Sequence, residues 1–168
     1  MDGNNTLTLT LRKPLDGVSE ITLREPTVDE GSQFRLDARK FGDVRALKSL
    51  LSKLSGLEVG SVGQMAGRDF KVCERFVQSR FGEPDEVLEG DEVVWTLQSP
   101  LPSLTEVKLR EPTLDEFARM TSESARIGDV LALRNLIAAM NKVEAGVVGR
   151  MGIGDFKVCD KYLSSFFD

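Results

Sequence analysis

Cys73 and Cys159 are the strongest potential nucleophiles in this chain, and both occupy the same place in a recurring DFKVC string. A reactive thiol needs an accessible, electropositive setting. Here Phe70 and Phe76 stand one helical turn either side of Cys73, and Phe156 and Tyr162 flank Cys159 in the same way. That spacing puts each sulfur mid-stripe on an apolar helix face, where a free cysteine packs as a small hydrophobe. One cysteine per string, without a CxxC spacing, supplies no metal-ligand set. The chain contains no histidine, which removes the commonest general base, metal ligand and pH switch.

A second string, LREPT, recurs at Leu23–Thr27 and Leu109–Thr113 and offers arginine, glutamate and threonine side by side. The residue types suit acid–base work, yet each has a structural use. Leu23 ends an inward-facing strand pattern, Pro26 stops the strand, and Thr27 with Glu30 three residues later forms a capping box. Gly60-x-x-Gly63 and Gly146-x-x-Gly149 lack the Gly-Lys-Ser/Thr of a phosphate loop. The helix–Gly-Asp–helix step resembles a helix-turn-helix. Its second helix reads Val130-Leu131-Ala132-Leu133-Arg134 in the second copy, which is poor in base-reading groups. No catalytic, cofactor-binding or metal-binding residue is assigned, and the expectation is a protein without enzyme activity or cofactor.

These strings recur because the chain repeats itself. An offset of 86 residues aligns the two halves without a gap, with about 30 aligned positions identical. The expected organisation is a first unit at 1–82, an acidic Gly- and Pro-punctuated linker at 83–91, and a second unit at 92–168. Each unit opens on alternation, Leu7, Leu9 and Leu11 or Val93, Trp95 and Leu97, the mark of a half-buried strand. A second strand follows through Ile21 and Leu23 or Val107 and Leu109, making a hairpin expected to have a loop longer than two residues. A helix carrying Gly31, Phe34, Ala38 and Phe41 should end on a left-handed Gly42, and Asp43 should cap a helix burying Val44, Leu47, Leu50, Leu51 and Leu54. A short helical piece and a last helix beginning at Asp69 complete the unit. The fold class is therefore α+β, two tandem repeats, each a β-hairpin followed by three to four short helices.

Composition narrows the partners. The net charge is −5 and no run of Lys or Arg occurs, which argues against nucleic acid and against an anionic membrane surface. No stretch has the ~18 apolar residues of a membrane span, and the opening MDGNNTLTLT lacks the pattern of a signal peptide. A reducing cytoplasm is expected. Positions apolar in one copy and polar in the other are not obligatory for the shared core. Leu36 aligns with Ser122, Leu131 with Arg45, and Phe166 with Arg80. Leu36, Leu131 and Phe166 are thus the candidate partner-binding residues, exposed or lying in a contact between copies. The final helix is apolar over more than one narrow stripe, so the two repeats are expected to pack on each other as a fused pseudo-dimer.

The order of a Thr/Leu strand, Lys13-Pro14-Leu15, Glu20–Thr27, Gly42-Asp43 and a final Asp69-Phe70 helix resembles the small tail assembly chaperones of Mu-like and P2-like phages. The resemblance covers 6–81 and again 92–167, and departs from the family in being duplicated. It implies a non-catalytic chaperone, made in the cytoplasm of a bacterial host, that binds the tape measure protein and assists tail tube assembly. It further implies absence from the mature virion. The alternatives are a structural tail, neck or adaptor protein that stays in the particle, and a DNA-binding regulator.

Overall fold

The computed structural model describes residues 5–168. Strands β1 (Thr6–Leu15) and β2 (Val18–Arg24) are followed by helices α1 (Val28–Phe41), α2 (Asp43–Ser55), α3 (Val59–Val62) and α4 (Gly67–Phe81). The second repeat gives β3 (Glu92–Leu101), β4 (Leu104–Arg110), α5 (Leu114–Ile127), α6 (Asp129–Asn141), α7 (Ala145–Gly149) and α8 (Ile153–Ser164). Each hairpin is a separate two-stranded antiparallel sheet. The α+β repeat architecture expected from the sequence is the one observed.

The chain divides into two compact units that do not follow the repeat boundary throughout. One comprises Met1–Pro26 with Gln33–Gly82, and the other Thr27–Ser32 with Glu83–Asp168. The first turn of α1 therefore belongs to the second unit.

In the first unit, Leu7 pairs with Leu23 and Leu9 with Ile21. This register turns one face of the hairpin toward α2 and α4, where Leu11, Leu15, Ile21, Leu23, Leu51, Cys73 and Val77 form a continuous buried cluster. The hairpin turn is shorter than the sequence suggested. Leu15 pairs directly with Val18 across Asp16-Gly17, whose φ values are 50° and 76°. Two positive φ angles in a two-residue turn match the right-handed twist of the flanking strands. The alternation nevertheless breaks early, because β1 is irregular between Thr10 and Leu15. Those extra strand residues read as loop in the sequence.

The irregularity also explains the aspartate of DFKVC. The last helices begin two residues before it, at Gly67 and Ile153, so Asp69 and Asp155 sit inside the first turn and not at its start. Asp69 is buried and accepts from the Arg12 amide at 2.9 Å. Asp155, 2% exposed, accepts from the amides of Gln98 at 3.0 Å and Ser99 at 3.2 Å. Each carboxylate thus satisfies backbone donors at the irregular strand stretch, and it lies where the helix dipole favours negative charge.

Two further expectations change. Gly42 and Gly128 have φ of 89° and 91° but ψ of 160°, an extended glycine-only conformation and not a left-handed helical cap. Asp43 and Asp129 are consequently the first helical residues, with the glycines in the cap position; the Asp129 carboxylate accepts from the Ser124 hydroxyl. Val44 and Phe41, placed in the core by periodicity, are 67% and 56% exposed. They lie at the glycine corner between α1 and α2, where each helix extends past the residues that cover the core.

In the second unit, α5 runs along α6, and the rings of Phe117 and Phe167 stack at 4.1 Å. Thr113 makes the full capping box: its hydroxyl accepts from the Glu116 amide at 3.2 Å, and Glu116 accepts from the Thr113 amide at 2.9 Å. Thr27 likewise accepts from the Glu30 amide at 3.2 Å. The Tyr162 hydroxyl donates to the Gly90 carbonyl at 2.8 Å, which fastens the acidic segment to α8.

Candidate functional site

The residues singled out for chemistry are placed structurally. Cys73 and Cys159 are fully buried and free. Burial pushes the Cys73 thiol up to about 11 and that of Cys159 further in the same direction, with Asp69 and Asp155 adding negative charge nearby. Both stay protonated, and a protonated thiol is a poor nucleophile. Among the described residues, no group of three or more His, Cys, Asp or Glu is arranged to hold a metal ion.

The LREPT groups serve as fasteners. Glu25 pairs with Arg80 at 2.9 Å, with side chains only 7% and 14% exposed. Arg80 also donates to Asn5 at 3.0 Å. In the second copy, where Phe166 replaces Arg80, Arg110 grips Glu116 through two bonds of 2.9 and 2.7 Å. That grip holds the Glu116 carboxyl down to about 2 and raises the Arg110 guanidinium further.

The three candidate partner-binding residues lie on separate elements. Leu36 is 50% exposed on α1. Leu131 is half-buried in the first turn of α6. Phe166 is half-buried beyond α8, its ring edge-on to Tyr162 at 5.2 Å.

An apolar concavity lies elsewhere in the first unit. A groove of about 540 Å³ opens between α1, α2 and α4, floored by Phe34, Val44, Leu47, Phe70, Val77 and Phe81. Phe34 and Phe81 stack at 5.8 Å along it. Its rim is charged, with Arg35, Asp43, Lys71 and Glu74. Lys71 is shared with a second hollow of about 650 Å³ lined by Arg12, Arg68 and Arg75. An apolar floor with a basic flank suits an amphipathic helix whose polar side carries acidic residues. Phe156, aligned with the half-buried Phe70, is buried, and Val130, aligned with the exposed Val44, is half-buried, so the two copies present different faces.

Sequence reasoning missed this groove although it noted its cause. The apolar width of the last helix was visible, with Phe70, Phe76 and Phe81 facing more than one way. What hid the site was that Phe34, Val44 and Leu47 fit an ordinary core stripe, and periodicity does not say whether a stripe is covered.

Neither the curated proteins nor the solved structures give a significant match to this chain. A family model does, twice. The model described as "Phage tail assembly chaperone proteins, E, or 41 or 14" matches residues 1–82 and again residues 102–168. With both repeats matched and nearly the whole chain spanned, this α+β tandem protein belongs to the phage tail assembly chaperone family.

Proposed function

We propose that the chain acts in tail assembly by holding the tape measure protein, with the groove of the first unit as the seat for a helical segment of that client. The observation that carries the reading is the groove itself: three half-buried phenylalanines and the exposed Val44 on one open face, rimmed by charge. A client helix laid there covers apolar surface at roughly 25 cal/mol per Å². It leaves again without covalent chemistry, as a chaperone that hands its client to a growing tube requires. The basic hollow beside the groove favours a client helix with acidic residues on that flank. Tail tube subunits are the second partner, met while the client is still held. The work is done in the cytoplasm of the host bacterium, and the chaperone is left out of the finished particle. Among the described residues, no helix is long and apolar enough to cross a membrane.

Co-expression with the tape measure protein of the same phage, followed by affinity purification of the chaperone, tests this. The expected result is recovery of soluble client with the wild type and its loss with Phe70→Glu or Phe34→Glu, while circular dichroism stays unchanged. Equal recovery with both variants would exclude the groove. A chaperone found in purified virions at stoichiometric amounts would favour a structural tail component instead.

A further inference from the structure

The two copies of LREPT have the same sequence and opposite fates. In the second unit, Thr27–Asp29 fill a slot. The Val28 amide donates to the Met151 carbonyl at 2.9 Å, and Thr27 bridges antiparallel to Gly152. Asp29 pairs with Arg134 at 2.8 Å, its carboxylate lying where a Cβ on Gly149 would stand. Val28 and Met151 are both 0% exposed.

The equivalent slot in the first unit has the same parts and lacks this filling. Lys48 stands for Arg134, Gly63 for Gly149, Met65 for Met151 and Ala66 for Gly152. Met65 and Ala66 are half-buried and Gly63 is exposed. The Lys48 side chain lies over Gly63, its Cε and Nζ 3.0 Å from where a Cβ would be. The equivalent plug is Thr113-Leu114-Asp115, and Leu114 is 80% exposed. Each chain thus carries one slot without its plug and one plug without its slot.

We infer that the Thr113–Asp115 plug of one chain docks in the Lys48–Gly63–Met65 slot of a second copy of this chain. The chemistry matches part for part. The Leu114 amide meets the Met65 carbonyl as Val28 meets Met151. Asp115 replaces Lys48 over Gly63 and pairs with it, keeping the charge order of Asp29 and Arg134. Docking does not cost the cap, since Thr27 bridges through its backbone while its hydroxyl accepts from Glu30 at 3.2 Å. Phe117 stands where Gly31 does in the filled slot, and its ring stacks on Phe167. Plug and slot are different surfaces, so the contact is head-to-tail. It closes a ring where the rotation permits and extends a chain of copies where it does not.

Sedimentation velocity and light scattering of the full chain, without client, from low to high micromolar concentration, test the inference. The expected result is a mass above one chain that grows with concentration. Leu114→Glu should weaken association about tenfold or more, and Asp115→Lys or Lys48→Asp should do the same. The double variant carrying both charge reversals should recover most of it. Leu114 and Asp115 are exposed, so the substitutions at those two positions leave the core alone. A chain that stays single at every concentration overturns the inference. So does association that persists unchanged in Leu114→Glu, including association lost only with Phe34→Glu or Phe70→Glu.

Discussion

The Trp95 indole donates to the buried Asp155 carboxylate at 3.0 Å, joining the middle of a strand to the first turn of the last helix. The same carboxylate takes the Gln98 and Ser99 amides. Asp155→Ala leaves three donors without their charged acceptor and should cost roughly 3 kcal/mol or more. Trp95 is the only tryptophan, so its fluorescence reports the loss directly. Chemical unfolding followed at the indole emission should give a lower midpoint and a red-shifted native spectrum. An unchanged midpoint would show that the carboxylate is not the fastener.

The thiols should be silent until the fold opens. With Cys73 raised to about 11 and both sulfurs fully buried, almost no accessible thiolate exists at neutral pH. Ellman's reagent should label neither at a useful rate in the native protein and both in denaturant. Fast stoichiometric labelling without denaturant contradicts the buried placement.

Acid should loosen the start of α5. Arg110 holds Glu116 down to about 2 in the folded chain, against 4.5 for the ordinary carboxyl. A depressed folded value means that the contribution is complete above the ordinary value and is lost as pH falls from there toward 2. Glu116→Gln lacks that contribution at every pH. The gap in stability between wild type and Glu116→Gln should be widest at neutral pH and should shrink near about pH 3. Urea titrations at both pH values measure it, and a gap that widens in acid refutes the assignment.

Cutting the chain at the repeat boundary should harm the second half. A fragment of residues 88–168 contains the Met151 slot and lacks Thr27–Ser32, which the second unit needs to cover it. This fragment should melt well below the intact chain or self-associate through the bare slot. Adding a peptide spanning residues 24–37 should raise its melting temperature. A fragment as stable as the whole chain, and indifferent to the peptide, would show that the slot carries little stability.

The sequence made the repeat, the hairpins, the capping threonines and the buried cysteines readable, because each is written in spacing and composition. Thr113 and Glu116 announce their capping box wherever they stand. Asp69 and Asp155 were less legible: an acidic residue near a helix start looks like a cap. Only the strand irregularity at Thr10–Leu15, a matter of register, reveals the amides it serves. Val44 matched the core pattern and is exposed, since a period of 3.6 marks a face without saying what lies opposite. The differing fates of Val28 and Leu114 could not be read at all. The strings around them are the same, and a symmetric sequence does not disclose where its structure departs from symmetry.

The seat of Val28 also sets an order in time. Its neighbours in the second unit, Met151 and Gly152, leave the ribosome about 120 residues later, a delay of roughly 6 to 24 seconds at ordinary elongation rates of ~5–20 residues per second. Through that interval the first hairpin and its helices can close on local contacts, while the turn holding Thr27–Ser32 waits. Filling the slot therefore joins residues made well apart in time, and the second unit is finished only once Met151 and Gly152 have been made.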